Sequence, residues 1–422
     1  MDEREKYDIK KPIALPVGMY HLNDNASINF QLNRLVNMDM GDLDEVRKVG
    51  SQIKDIKSWK TVLMRVADEE YAKGNLRSAM GFYRMAEFYM DWKDPDALKC
   101  WKKARELFFA YFEDFFVGEH PIVEKVEVPY ETYTLPLLKM NPDGVSKGDI
   151  VVHGGFDSNY EEFFPQCMYV RQHGYTVYLF EGPGQGATIR LHGATLPIEW
   201  EKPVKAVLDY MKLSDVTLVG QSYGGFYAPR ASAFDERITR CVSVAQFPAL
   251  ALNFHDSRVV GALAWGILNL ILFLFGWLID LIYKLKKGNG MQFFDTYYHR
   301  TGAKGVYALL RYLHRIDLRP LADKLTKDYL IIGGSKDTMN ARASIGRQML
   351  LLKNARSIAA REITEKEQGA DHCNVGNQQV AMDTILLWLE GLQRRDETLL
   401  RKKRRNNAFF STGTGKNQRK HV

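Results

Sequence analysis

Cysteine is scarce in this chain. Four occur in 422 residues (Cys100, Cys167, Cys241 and Cys373), and no two stand in a CxxC spacing. A disulfide framework and a structural zinc site are therefore not expected, and a reduced, cytoplasmic setting fits. No apolar core follows the charged stretch Met1–Lys6, so the N-terminus does not read as a secretory signal. Net positive charge is also lacking outside the tail. The formal net charge is +7, but residues 401–422 hold eight Lys/Arg and no acid, which leaves −1 on the rest. A body so close to neutral has no electrostatic footprint for nucleic acid, and no nucleic-acid partner is expected. No repeat period and no metal or organic cofactor motif is visible, so metal and cofactor are both expected to be none.

What is present is length and apolar content. With 45% apolar and 26% charged residues the chain has an ordinary globular composition and is long enough for two domains. Residues 1–118 read as a helical cap domain. Val62, Leu63, Val66 and Ala67 lie on one stripe, which Gly74-Asn75 ends. A second helix runs from Leu76 to Met90. Asp94 then caps a third, with Pro95 in its first turn and Leu98, Trp101, Arg105, Phe108, Phe112 and Phe115 along it. Such aromatic-rich hairpins resemble tetratricopeptide units, so a peptide-binding module is an alternative for this region.

Residues 119–393 change character. Two alternating runs, Ile122–Val128 and Thr132–Met140, read as strands. Continuously apolar runs follow at Asp149–Val152, Thr176–Phe180, Val216–Val219, Val242–Val244 and Tyr329–Ile332, with helical patterns between them. Strands of that kind belong to a parallel sheet covered on both faces. The expected fold class is α/β, with the element order of an α/β-hydrolase: a mostly parallel sheet, helices on both faces, an N-terminal helical cap and an inserted apolar lid at about 250–315.

Within that frame Gly220-Gln221-Ser222-Tyr223-Gly224 is a Gly-x-Ser-x-Gly turn between a strand and a helix. Glycines there let the serine sit on a cramped elbow with its hydroxyl above the sheet. The following helix aims its N-terminal N–H groups at the serine. Val152-His153-Gly154-Gly155-Phe156-Asp157 follows the third strand, so an amide near Gly155–Phe156 and the amide of Tyr223 are the expected oxyanion-hole donors. Asp337 leaves the Tyr329–Ile332 strand, and His372 lies in the loop after Ile358–Ile363. The order Ser222, Asp337, His372 is that of a hydrolase triad in this fold. Asp371 is the rival for the acid.

Four stretches together resemble a particular branch of the α/β-hydrolases: Gly154–Ser158 with Glu161–Pro165, Phe180–Gly186, the elbow, and Gly369–Asn377. With the helical extension, residues 60–392 are similar to the group that contains 2,6-dihydroxypseudooxynicotine hydrolase and the fungal polyketide-shortening hydrolases. The resemblance implies serine-dependent hydrolysis of a ketone-adjacent C–C bond or an ester. It also implies a homodimer, with the active site between cap and hydrolase domain. It gives Asp157 the place of the acid that assists substrate tautomerisation. Glu161, Glu162 and Glu181 read as structural.

Val259–Ile279 is 21 residues without a charge. It is long enough to span a bilayer, but a single span would separate Ser222 from Asp337 and His372. The segment is therefore read as lid helices over an apolar pocket or as a buried dimer contact. The alternative is a hairpin touching a membrane interface through residues 259–287, which Trp265, Trp277, Lys284, Lys286 and Lys287 would suit. An apolar lid points to a hydrophobic or aromatic small-molecule substrate. The basic tail, residues 394–422, is expected to be disordered. The readings in competition are a C–C or carboxylic-ester serine hydrolase, a lipase-like esterase, and a catalytically inactive membrane-associated or peptide-binding adaptor.

Overall fold

A computed structural model describes residues 5–245, 248–249, 258–285, 292–339 and 343–413. Eight strands are present: β1 (Val123–Tyr130), β2 (Tyr133–Met140), β3 (Asp149–His153), β4 (Thr176–Phe180), β5 (Val216–Gln221), β6 (Ile238–Val244), β7 (Asp328–Gly334) and β8 (Ser357–Ile363). They form one sheet in the order β1-β2-β4-β3-β5-β6-β7-β8. β1 and β2 pair antiparallel, as do β2 and β4, and every later pairing is parallel. The mostly parallel α/β sheet expected from the apolar runs is thus observed. Because β3 lies between β4 and β5, its last residue, His153, pairs with Gly220, and the loop after β3 emerges beside the elbow after β5.

Five helices precede the sheet: α1 (Ala26–Asn37), α2 (Leu43–Gly50), α3 (Ile56–Lys73), α4 (Leu76–Phe88) and α5 (Pro95–Tyr111). The Asp94 carboxylate accepts the Asp96 amide at 3.0 Å and caps α5, as its sequence indicates. α5 is shorter than its aromatic spacing suggests. It ends at Tyr111, and Phe115 falls on a separate 3-10 turn. The chain bends there because Phe112 and Phe115 both turn onto Phe164, at ring separations of 4.7 and 6.1 Å.

The helices of the hydrolase region are α6 (Phe164–Gln172), α7 (Gly186–His192), α8 (Glu201–Tyr210), α9 (Gly224–Ser232), α10 (Arg258–Leu285), α11 (Gln292–Thr301), α12 (Val306–His314), α13 (Ser344–Leu351) and α14 (Gln378–Gly413). Alternate strand residues face opposite ways. Ile150, Val152, Val219, Val242 and Leu330 pack in one core with α6, α14 and the N-terminal helices, including Leu32, Phe82 and Phe108. Val151, Leu218, Cys241 and Ile331 pack on the other face with Val204, Leu208, Phe226 and Tyr227. The N-terminal helices therefore share a continuous core with one face of the sheet, and the boundary expected at residue 118 does not divide the packing.

Two further expectations are corrected. The tail does not lose order at residue 394, because α14 continues to Gly413. Its apolar stripe through Ile385 and Leu389 seats the helix, and Arg395 pairs with the buried Asp328 carboxylate at 2.7 Å beyond that stripe. Residues 414–422 lie outside the described residues. The apolar run is one helix, α10, and its described packing is against α12 rather than around an apolar pocket. Most of its side chains are exposed, and only a narrow stripe containing Trp265 and Leu272 is buried against Val306 and Leu310 of α12.

Candidate active site

Strand β5 delivers Ser222 to a turn of unusual conformation. Ser222 has φ of 59°, a left-handed geometry rare for a residue with a side chain. Its amide is fixed to Val244 O of the neighbouring strand at 2.9 Å. A β-carbon on Gly220 would lie 2.1 Å from Gly224 O, so the strand can fold back onto α9 only with glycine there. The sequence therefore builds the strain, and the hydroxyl projects beyond the sheet.

β7 and β8 bring the partners. Lys336 N donates to Ala370 O at 2.9 Å, which ties the loop after β7 to the loop that carries His372. The Asp337 carboxylate then accepts from His372 Nδ1 at 2.9 Å and from the Met339 amide at 2.9 Å. His372 Nε2 lies 2.9 Å from Ser222 Oγ. Asp337 and His372 are both buried. Burial opposes a charge on His372. The adjacent Cys373 and the Asp337 carboxylate favour one and win, so the imidazole is held well above the ordinary histidine range. Asp371 takes no part in this contact. Its own carboxyl is raised by burial above the usual range.

The loop after β3 lies against the same elbow. A β-carbon on Gly155 would lie 2.6 Å from Tyr223 N and 2.7 Å from Ser222 Cβ. The Gly155 amide itself donates to Ser158 Oγ at 2.6 Å. Of the Gly155–Phe156 pair it is therefore Phe156 whose amide makes no hydrogen bond to a described residue. Gln185, which the sequence did not single out, holds this loop. Its side-chain amide donates to Gly154 O at 2.9 Å and to Gly155 O at 2.7 Å, while its oxygen accepts the Gly182 amide at 2.9 Å.

The wall above the loop is aromatic and basic. Tyr297 of α11 stacks on Phe156 at 4.4 Å, and Tyr223 packs on the same ring at 5.4 Å. Arg300, also of α11, donates to Phe156 O at 3.1 Å and to Gly184 O at 2.8 Å. The contacts made to this loop thus come from α11, which lies within the lid insertion expected at about 250–315. Asp157 is partly exposed at the end of this loop. Burial would raise its pKa, but Arg34, Arg300 and Arg84 outweigh that cost and hold the carboxyl below the usual range. Burial in turn pushes the Arg300 guanidinium down to about 10.

Behind the loop, three buried glutamates join it to the N-terminal helices. Glu162 pairs with Arg34 of α1 and Arg84 of α4. Arg105 of α5 bridges Glu161 and Glu181, and Glu181 also accepts the Tyr160 and Ala187 amides at 3.0 and 2.8 Å. The structural reading of Glu161, Glu162 and Glu181 matches these positions. Their arginine partners lie 56 to 128 residues away in sequence, beyond any local pattern. Among the described residues no group of three or more His, Cys, Asp or Glu side chains converges as a metal site would.

Comparison with known proteins gives the family and the fold. Residues 150–381, more than half of the chain, match the family described as alpha/beta hydrolase family. Hydrolase acrC of Aspergillus aculeatus is 31% identical over 206 residues, covering 42% of this chain and 47% of its own. Alpha/beta hydrolase psoB of Aspergillus fumigatus is 34% identical over 179 residues, 37% of this chain and 38% of its own. Hydrolyase poxO of Penicillium oxalicum is 38% identical over 138 residues, 29% of this chain and 32% of its own. The matched stretch thus spans between about a third and a half of these relatives. Two solved structures share the fold over nearly their whole length. One is 2,6-dihydroxy-pseudo-oxynicotine hydrolase, with a TM-score of 0.57 at 18% identity, covering 85% of this chain and 94% of that one. The other is AbyA5, with a TM-score of 0.64 at 16% identity, covering 87% and 95%.

Proposed function

This chain belongs to the alpha/beta hydrolase family, and on that premise we propose that it is a serine hydrolase that cleaves an acyl C–C bond beside a ketone, or an ester, in a hydrophobic or aromatic small molecule. One observation carries the reading: His372 lies 2.9 Å from both Ser222 Oγ and the Asp337 carboxylate. An imidazole so placed can take a proton from the serine and receive orientation and charge stabilisation from the acid.

The steps follow from those positions. Ser222 Oγ attacks the substrate carbonyl as its proton passes to His372 Nε2. Negative charge gathers on the former carbonyl oxygen, which the amides of Phe156 and Tyr223 receive. Collapse of the tetrahedral adduct breaks the bond to the leaving group. The electron pair goes to an alkoxide oxygen for an ester, or to an enolate for a ketone-adjacent carbon, and His372 returns its proton there. Water then attacks the acyl group on Ser222 with His372 again as base, and a carboxylic acid leaves.

The C–C reading asks more of the site than the plain ester does, because a carbanion is a poorer leaving group than an alkoxide and needs a proton from His372 Nε2, which lies 2.9 Å from Ser222 Oγ. What supports it is Asp157 in the loop beside Ser222, where its carboxylate, with Arg34, Arg300 and Arg84 around it, can take part in substrate tautomerisation. The names of the fungal relatives, hydrolase and hydrolyase, agree with hydrolysis in general. The aromatic wall of Phe156, Tyr223 and Tyr297 suits an unsaturated substrate.

The test is fluorophosphonate labelling and turnover of aryl esters and β-diketones by the purified chain, with Ser222→Ala as control. Labelling of the native chain but not of the variant, with diketone cleavage, is the expected result. Labelling that persists in Ser222→Ala would overturn the assignment of the nucleophile, and turnover of esters alone would overturn the C–C preference.

A further inference from the structure

Helix α10 presents a surface that the hydrolytic reading leaves without a role. It is long and apolar enough to cross a membrane by length and composition. Its exposed side chains are not confined to one face. Phe273, Leu274 and Phe275 are consecutive, are all about half exposed or more, and project at 100° intervals around the axis. Leu263, Ile267 and Leu270 are each exposed on the same row as Leu274, opposite the buried stripe. Only the stripe of Gly261, Trp265, Leu272 and Gly276 is buried. Monomeric soluble proteins rarely leave so long an apolar surface in water.

The helix is nevertheless fastened along its length to the body of the protein. Trp265 Nε1 donates to His314 Nδ1 at 2.8 Å. About four turns on, the Asp280 carboxylate accepts the Val306 amide at 3.0 Å and the Tyr298 hydroxyl at 2.8 Å. Tyr298 is on α11, whose Tyr297 and Arg300 reach the loop beside Ser222. A crossing helix would have to leave these partners, and α12 beside it carries Arg311 and His314, which a bilayer core would not accept. The helix therefore lies along the protein and exposes roughly two thirds of its circumference.

Charge selects what covers it. Residues 258–315 hold eight Lys/Arg against only two acids, Asp280 and Asp295. Lys284, Lys304 and Arg311 are exposed and make no ion pair with a described residue. A second copy of the chain would bring the same positive charge to the contact, and a rigid partner covers one face of a cylinder rather than three consecutive positions. Acyl chains conform to such a ridge, and anionic headgroups answer its basic border.

We propose that the outward surface of α10 docks on an anionic phospholipid bilayer, with the helix lying in the interfacial plane and the catalytic domain remaining in water. This rests on α10 and the basic residues beside it and does not depend on the hydrolytic reading. Of the seven tryptophans, Trp277 is the one that is mostly exposed, so it reports directly on the contact.

The full-length chain is mixed with vesicles of phosphatidylcholine alone and of phosphatidylcholine with phosphatidylserine. Co-sedimentation and Trp277 emission are followed, with Trp277→Phe to assign the signal. Expected are a blue shift and protection from acrylamide on the serine-containing vesicles, and at least tenfold weaker binding to phosphatidylcholine. The variant Leu263→Glu/Leu270→Glu should lose vesicle binding at least tenfold while keeping its circular dichroism and its turnover of a water-soluble aryl ester. Absence of vesicle binding, equal binding by that variant, or equal binding to both vesicle types would overturn the proposal. So would a stable dimer that shields Trp277 from acrylamide without lipid.

Discussion

Gly155 lies so close to the amide of Tyr223 that a β-carbon on it would be 2.6 Å from that nitrogen. The contact brings the loop after β3 to the elbow after β5, and with it the Phe156 and Tyr223 amides that are the proposed oxyanion donors. Side chains at residue 155 would push the two amides apart. Gly155→Ala is expected to lower kcat by about 10²–10³-fold, the usual loss for an oxyanion donor. KM should change little by comparison, and the melting temperature should fall because the clash is with backbone atoms of the elbow. Steady-state kinetics on an aryl ester beside a thermal melt would check this, and unchanged kcat would remove the loop from the catalytic reading.

The pH profile follows from His372. The neutral imidazole is the base for acylation, and Asp337 with Cys373 holds its protonated form to a pH well above the ordinary histidine range. The rise of kcat/KM with pH should therefore be displaced to the alkaline side of a typical histidine. Replacing Asp337 by Asn removes the acid partner and should move that limb downward as activity falls. For stability the sign is opposite. A raised folded-state value adds stability that is fully present below the unfolded value of about 6.5. That contribution disappears as pH rises through the folded value. Rate profiles and melts across neutral to alkaline pH would show both limbs.

The parts of the fold that were legible in the sequence are those governed by neighbours in the chain. Continuous apolar runs marked the strands, Gly220 and Gly224 marked the elbow, and Asp94-Pro95 marked the start of α5. The order Ser222, Asp337, His372 could be read because each residue follows a strand whose end points to the same edge of the sheet. The arginines were not legible. Arg105 meets Glu161 and Glu181, and Arg300 meets Phe156 and Gly184, through contacts that have no local period. The direction α10 faces was also hidden, since a helix apolar on all sides has no pattern to say which stripe is buried. Phe112 and Phe115 have helical spacing, yet their packing on Phe164 ends α5 before them.

Asp157 divides the two chemistries. Arg34, Arg300 and Arg84 hold its carboxyl below the usual range, and in the proposed reaction it assists tautomerisation of a ketone from its place in the loop after β3 but has no part in ester acylation. Asp157→Asn should reduce β-diketone cleavage by about 10²-fold or more, within the range of a general base, and leave aryl-ester turnover within about tenfold. Equal loss on both substrates would mean that the carboxylate only organises the arginines. Parallel kinetics on the two substrate types decide between these outcomes.

Arg105 should be among the most sensitive positions outside the active site. Its guanidinium bridges Glu161 and Glu181, and all three side chains are largely buried. It fastens α5 to the loop after β3 and to the end of β4. Substitution by Met preserves most of the volume but leaves two carboxylates buried without their cation, a defect that typically costs about 3–5 kcal/mol. Arg105→Met is therefore expected to lower the denaturant midpoint sharply. The triple variant Arg105→Met/Glu161→Gln/Glu181→Gln, which removes the charges together, should recover most of that loss. If the single variant were as stable as the native chain, the bridge would not be what holds the N-terminal helices to the catalytic loop.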